Sequence, residues 1–164
     1  MDEGTVYEKG CLMADLGGCQ EQHDLRALVD EDYLYSGDED KEELEEYGVE
    51  EWPHVTVFYG FLPGVGADRV EEHIKPQKQP RFSILFNRLG FFENEDYDVI
   101  YVNAESNLLH QINRECWKLP NECPYSEYRP HMTLAYVKKG GYAKQFVEQH
   151  MKPFMAKCNK LVLE

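Results

Sequence analysis

The segment PHVTVFY, residues 53–59, returns as PHMTLAY at residues 130–136. The two copies align without gaps at an offset of 77 residues, close to half of the 164-residue chain. Proline, histidine, threonine and tyrosine are identical, and the positions between them are mostly apolar. Each copy begins a segment typical of a strand, followed by a glycine-containing turn and a predicted helix. This internal repeat predicts a duplicated lobe.

The His-x-Thr core of the repeat predicts an active site. Because side chains alternate between the faces of a strand, His54 and Thr56 are expected on one open face, and His131 and Thr133 likewise. Two lobes related by a pseudo-two-fold would bring both pairs to one cleft. The same alternation predicts that the equivalent tyrosines Tyr59 and Tyr136 lie on the opposite, core-facing side, where packing is their expected role.

Two imidazoles and two hydroxyls suit the cleavage of a phosphodiester. Histidine titrates near neutral pH, so one ring can activate the attacking oxygen while the other protonates the leaving oxygen. Threonine hydroxyls can donate hydrogen bonds to the charged non-bridging oxygens of the transition state. Two histidines without a third ligand leave a zinc site incomplete, and threonine is a poor zinc ligand. We therefore predict no metal and no cofactor.

The rest of the chain predicts an α+β fold with a mainly antiparallel sheet and flanking helices. A helix is expected from the N-cap Ser106 to Pro120, and a bulge near Gly90. Further strands are predicted at 10–16, 81–92, 98–104 and 159–164, and further helices at 20–29, 67–75 and 143–151. We interpret residues 1–164 as a single domain of two lobes around a central cleft.

Composition and charge narrow the functional classes. The content of 42% hydrophobic residues is that of a globular protein. No apolar run approaches the roughly 20 residues that span a bilayer, and the acidic N-terminus lacks a signal-peptide pattern, so a cytoplasmic protein is expected. Five cysteines, with no pair at CxxC spacing, favour free thiols over disulfides or a zinc site.

The net charge of −14 disfavours long nucleic acid as a partner, because phosphate binding depends on clustered Lys and Arg. Residues 30–51 contribute −11 of it through twelve acids and one lysine, so the remainder carries only −3. A small phosphorylated ligand is therefore compatible with the chain. The acidic run itself is predicted to be a solvated loop or an exposed helix.

The paired motifs resemble those of the two-histidine (2H) phosphoesterase superfamily. KGCLMADL (9–16), YGVEEWPHVTVFYGFL (47–62), SNLLHQINRECW (106–117) and YRPHMTLAYVKKGG (128–141) further resemble the phage anti-CBASS nucleases of that superfamily. The similarity covers residues 9–142, and YGFL and AYVKKG are its specific parts. The paired HxT alone is shared by the whole superfamily.

This resemblance implies a metal-independent enzyme that degrades the cyclic di- and trinucleotide signals of bacterial anti-phage defence. It implies a fold of two lobes around a cleft and, if the protein is encoded by a phage, the cytoplasm of the bacterial host as its location. Carried over to this sequence, His54 and His131 become the acid/base pair, and Thr56 and Thr133 hold the phosphate. The pattern predicts neither base preference nor oligomeric state.

Other residues beside the motifs are weaker candidates for substrate binding. Trp52 and Tyr128 precede the two motifs and could stack on a base. Lys138 and Lys139 follow the second motif and could meet a phosphate, or form a solvated pair. The remaining histidines lack the HxT context and are expected to be surface or core residues; they are His23, His73, His110 and His150.

Two alternative functions remain open at this point. A 2′,3′-cyclic phosphodiesterase acting on RNA ends would use the same motifs, but a basic groove that would favour RNA is not evident. A non-catalytic binding protein could sequester a cyclic nucleotide. The intact histidines in both motifs argue against that second alternative, because binding alone needs no acid/base pair.

Overall fold

The computed structural model describes residues 10–36, 48–77 and 81–164. The strands are β1 (Gly10–Asp15), β2 (Gly48–Val49), β3 (His54–Phe61), β4 (Ser83–Glu93), β5 (Asp98–Glu105), β6 (His131–Val137), β7 (Phe154–Lys157) and β8 (Lys160–Leu163). The α-helices are α1 (Gln20–Arg26), α2 (Ala67–Ile74), α3 (Asn107–Cys116) and α4 (Tyr142–Phe146), and 3-10 turns occupy Glu31–Tyr33 and Lys75–Gln77.

These strands form one antiparallel sheet in the order β7-β4-β5-β6-β3-β1-β8, with β2 paired to β6. The α+β class and the antiparallel sheet are therefore confirmed. The neighbours of the two motif strands correspond between the halves, since β3 lies beside β1 and β6 lies beside β5. In the second half β5 leads through α3 to β6, and in the first half β1 leads through α1, a 3-10 turn and the two-residue strand β2 to β3.

The two motif strands, β3 and β6, pair at one register position, Val55 with Met132. These residues occupy the same position in the two copies of the repeat. A pair of equivalent residues in antiparallel strands can only lie on a local two-fold axis perpendicular to the sheet. The predicted pseudo-two-fold is thus realised inside one continuous sheet, with its axis between the motif strands.

The core lies between one face of the sheet and the helices, and a helix from each half packs against the motif strand of the other half. Helix α1 packs under β6, and helix α3 packs under β3. Buried residues of α3, such as Leu109 and Ile112, join Val55 and Met132 in this core. The predicted N-cap is confirmed, because the Ser106 hydroxyl accepts a hydrogen bond from the Leu109 amide at 3.2 Å. The other face of the sheet, which carries the motif histidines, is called the open face below.

Each motif strand contains a β-bulge just after its threonine. Val57 is the extra residue in β3, because Thr56 pairs with Met13 and Phe58 already pairs with Leu12. Leu134 is the extra residue in β6, where Thr133 pairs with Tyr101 and Ala135 with Ile100. Val57 and Leu134 are again separated by 77 residues.

The bulges correct the prediction made from simple alternation. An extra residue shifts the side-chain alternation by one position, so Phe58 and Ala135 turn into the core and are at most 2% exposed. Tyr59 turns instead to the open face, where 38% of it is exposed. The equivalent Tyr136 follows it and is half-buried. The expectation that Tyr59 faces the core is therefore wrong.

The remaining differences from the predicted elements are local. Strand β7 was not predicted, and it pairs as an edge strand with the start of β4. Helix α4 ends at Phe146, short of the predicted 143–151. The bulge expected near Gly90 lies between Phe86 and Leu89. All five cysteines are free, as predicted.

The acidic segment is anchored to β6 at both ends. The Tyr35 amide donates to the Tyr136 carbonyl at 2.9 Å, and β2 pairs Gly48 with Tyr136. The solvated loop predicted for this segment falls, for residues 37–47, outside the described residues. No helix in the described part of the chain is long and apolar enough to cross a membrane.

Candidate active site

The four residues singled out by the repeat lie together on the open face. The register at Val55–Met132 sets His54 opposite Thr133 and Thr56 opposite His131. Directly opposed Cβ atoms in antiparallel strands are about 5 Å apart, and diagonal ones, such as those of the two histidines, about 7–8 Å. This arrangement leaves room for one phosphate between two imidazoles and two hydroxyls.

Both imidazole rings are held in the same way. The Nδ1 atom of His54 lies 2.7 Å from the carbonyl oxygen of Trp52, and Nδ1 of His131 lies 2.9 Å from the carbonyl oxygen of Arg129. A carbonyl oxygen only accepts hydrogen bonds, so Nδ1 must be the donor in each ring. The tautomer is thereby fixed, and Nε2 is the nitrogen that can exchange a proton with a substrate.

The two rings differ in what packs against them. Trp52 stacks on His54 with ring centroids 4.7 Å apart, and its indole Nε1 donates to Asp15 at 2.9 Å. Asp15 also accepts from the Gly17 amide at 2.8 Å. The hydrogen bond to Asp15 therefore holds the Trp52 ring against the His54 imidazole.

His131 packs against the rings of Tyr101 and Phe92, whose centroids are 5.0 and 5.4 Å from that of His131. The Tyr101 ring lies over Gly90, where a Cβ would come within 2.5 Å of it, so only glycine fits beneath. Burial lowers the pKa of His131, and the nearby His54 lowers it further, against a raising effect of the hydrogen bond to Arg129. His131 is therefore biased toward the neutral form, which can accept a proton.

Buried amides support the bulges from below. The Asn113 side chain on α3 donates to the Val57 carbonyl at 2.8 Å. The Gln22 side chain on α1 donates to the Thr133 carbonyl at 3.2 Å and to the Glu50 carbonyl at 2.9 Å. A bulge interrupts the ladder and leaves carbonyls that need other partners. Each helix thus fixes the motif strand of the opposite half.

The Thr56 hydroxyl has a neighbour of its own on the open face. It lies within hydrogen-bonding reach of the Cys11 thiol, and burial raises the pKa of that thiol to about 11. Cys11 is therefore a neutral hydrogen-bonding partner and not a nucleophile. A phosphate arriving at Thr56 would compete with this contact.

The weaker candidates are placed differently. The Tyr128 hydroxyl donates to the Thr56 carbonyl at 2.8 Å, and its ring packs edge-on against His110, so it supports β3. Lys138 donates to the Asp32 carbonyl at 3.0 Å, and Lys139 binds Asp98 at 2.9 Å. Both lysines lie past the far end of β6 and are not brought to the histidines. Their roles in substrate binding, like those of Trp52 and Tyr128, stay predictions.

The structure adds residues that the sequence analysis missed. Arg129 occupies the repeat position equivalent to Trp52, and its side chain is 81% exposed beside the site, paired with Glu127 at 3.1 Å. Extending the repeat alignment backwards past the proline would have found it. Tyr101 and Phe92 have no comparable signal in the sequence, because strand order brings them to the open face. Tyr59 belongs to the repeat, but the bulge places it on the face opposite to the predicted one.

Comparison with known proteins gives a family match. A model described as the 2′-5′ RNA ligase superfamily matches residues 19–163, a span that contains both His-x-Thr motifs. No curated protein matches the chain. Among the described residues, no group of three or more His, Cys, Asp or Glu is arranged to hold a metal ion.

Proposed function

Because the chain belongs to the 2′-5′ RNA ligase superfamily, the two-histidine phosphoesterases, we propose that it cleaves the 3′–5′ linkages of cyclic di- and trinucleotides without a metal. The proposed biological substrates are the cyclic signals of bacterial anti-phage defence, and the proposed setting is a phage protein acting in the host cytoplasm. The observation that carries the proposal is the Val55–Met132 pair, which brings two equivalent His-Thr sets to one place.

The lowered pKa of His131 supports its assignment as the general base. Its Nε2 takes the proton from the ribose 2′-hydroxyl next to the linkage, and that oxygen attacks the phosphorus. His54, with Nδ1 donating to Trp52, protonates the departing 5′-oxygen from Nε2. The bond to the 5′-oxygen breaks and a 2′,3′-cyclic phosphate forms. The same pair can then open this ring with water.

The threonines stabilise the charge that develops in this reaction. Thr56 and Thr133 lie on either side of the two-fold axis, each opposite a histidine. Their hydroxyls are proposed to donate to the two non-bridging oxygens, which carry more charge in the transition state than in the substrate. Neither threonine needs to act as a nucleophile, because the ribose hydroxyl supplies the attacking oxygen.

Charge and sequence context support a small cyclic substrate. Outside residues 30–51 the chain is close to neutral, which suits a ligand with two or three charges better than a long polyanion. The flanking YGFL and AYVKKG stretches resemble the nucleases that act on such rings. A 2′,3′-cyclic phosphate at an RNA end is the second candidate, since the same chemistry opens it.

The test is a panel of cyclic di- and trinucleotides, alongside RNA with a 2′,3′-cyclic phosphate end, incubated with the protein and analysed by chromatography and mass. Linear products from the cyclic substrates, at rates well above those for the RNA end, are expected. Faster opening of the RNA end would replace the proposal by its alternative. Recovery of intact cyclic ligand after the protein is digested would indicate a binding protein.

A further inference from the structure

Two tyrosines form an exposed aromatic corner on the open face, beyond Thr56. The bulge at Val57 turns Tyr59 onto this face. The Tyr125 ring lies 6.5 Å from the Tyr59 ring at an angle of 57°. Tyr59 is 38% exposed and Tyr125 is 63% exposed, so both rings present apolar surface to solvent beside the motif residues.

The loop that carries Tyr125 is fixed to the end of β3. Asn121 pairs with Phe61, and the Glu122 amide donates to the Gly60 carbonyl at 2.8 Å. Gly60 has a φ of 122°, and a Cβ on it would come within 2.7 Å of the Cys123 Cα, so the close approach of this loop requires glycine. The position of Tyr125 beside Tyr59 is therefore built into the fold.

The aromatic corner lies close enough to the proposed phosphate position for a base of the substrate to reach it. Tyr59 follows Thr56 by three residues, one of them a bulge, so it lies roughly 7–10 Å further along the strand. A base joined through its ribose to a phosphate at the threonines can reach that far. In the opposite half the equivalent Tyr136 is half-buried and packs edge-on against Tyr97, so the two-fold is broken here.

We propose that Tyr59 and Tyr125 bind a nucleobase of the substrate, on one side of the scissile phosphate. The inference rests on the proposed function for the identity of the phosphate site. Every base has a π-face, so stacking on an aromatic ring gives affinity with little dependence on base identity. Two rings at an angle offer a face to stack on and an edge against which the base can pack. The corner thus contributes binding of the base and not chemistry at the phosphate.

The experiment compares Tyr59→Leu and Tyr125→Leu with the conservative variants Tyr59→Phe and Tyr125→Phe. The substrates are a cyclic dinucleotide and the corresponding cyclic ribose diphosphate that lacks both bases. The Leu variants are expected to raise KM for the dinucleotide by about 5- to 150-fold, the range for loss of one base–aromatic stack, with kcat nearly unchanged. The Phe variants should stay near wild type, and the base-free ring should show no difference among the proteins.

Equal KM values for the Leu variants and wild type, or equal losses on the base-free ring, would overturn the inference and leave the proposed function intact. The reverse case is separated by measuring binding of the dinucleotide by calorimetry. If the wild type binds it without cleaving it and the Leu variants bind more weakly, the base site stands and the proposed reaction fails. If the wild type neither binds nor cleaves any cyclic dinucleotide, both are wrong.

Discussion

Val55 and Met132, which hold the same position in the two copies of the repeat, are register partners across β3 and β6. Because the strands are antiparallel and equivalent residues pair, the residue before Val55 lies opposite the residue after Met132, and the residue after Val55 lies opposite the residue before Met132. The histidine of each copy is consequently set against the threonine of the other. The pairing of β3 with β6 thus brings together candidate-site residues that are 77 positions apart in the sequence.

The first prediction concerns the two histidines. His54→Ala and His131→Ala should each lower kcat by about 10²–10⁴-fold, because each removes a general acid or base. Steady-state kinetics on a cleaved cyclic dinucleotide measure this. His150→Ala is the matched control, since His150 is exposed and outside the motifs. Activity that survives loss of either motif histidine would show that the acid/base assignment is wrong.

The second prediction concerns metal. Turnover should be unchanged after dialysis against EDTA, because the repeat supplies acid, base and hydrogen-bond donors itself. The rate is measured before and after chelation, and again after addition of zinc or magnesium. Loss of activity on chelation with recovery on adding metal would contradict the proposed site.

The third prediction concerns the attacking group. A cyclic dinucleotide with 2′-deoxyribose at both linkages should bind but not be cleaved, because the proposed nucleophile is missing. Product analysis by mass, with the ribose substrate as control, measures this, and the first product of the control should carry a 2′,3′-cyclic phosphate. Normal cleavage of the deoxy substrate would indicate direct attack by water instead.

The fourth prediction concerns pH. Burial and the neighbouring His54 lower the pKa of His131, so the ascending limb of kcat/KM against pH should lie below the usual histidine value of about 6.5. His54→Gln removes one lowering cause and should raise the pKa of His131, as followed by NMR titration of the ring protons. An ascending limb above that usual value would contradict the assignment of His131 as base.

The lowered pKa of His131 also makes the free energy of unfolding depend on pH. His131 is neutral in the fold at pH values where the unfolded chain already binds a proton. Its contribution is therefore present above the unfolded value of about 6.5 and is lost as the pH falls toward the lower folded pKa. His131→Gln should reduce the loss of unfolding free energy across that window, measured by denaturant titration at several pH values.

The fifth prediction concerns the bulge in β3. Asn113→Leu keeps the branched shape of the side chain but leaves the buried Val57 carbonyl without its 2.8 Å donor, which should cost about 1–3 kcal/mol of unfolding free energy. Asn107→Leu, at an exposed position of the same helix, is the control. Because the bulge orients Thr56, kcat should fall as well. An unchanged denaturation midpoint would show that the amide is not needed to support the bulge.

The fold class and the catalytic candidates could be predicted because they depend on local sequence. The repeat, strand propensity and the Ser106 cap act over a few residues, so most elements were found within a few positions of their true ends. Alternation failed at Tyr59 and Tyr136, since a bulge shifts the side-chain period without leaving a signature in composition. Strand β7 also carries little local signal, because an edge strand is stabilised mainly by its partner β4.

The amino-acid sequence alone contains the two His-Thr sets, predicts a strand for each and relates the two halves through the repeat. The three-dimensional packing sets the rest: equivalent residues pair at the axis, Trp52 covers one histidine while Tyr101 and Phe92 surround the other, and the bulge after Thr56 turns Tyr59 outward. The sequence predicts the first group of features and not the second because they depend on contacts of different range. Side-chain alternation is set by neighbouring residues, whereas strand register is set by contacts between segments far apart along the chain. The difference between the histidines follows from those contacts, because burial and a neighbouring charge both depend on the packed neighbours.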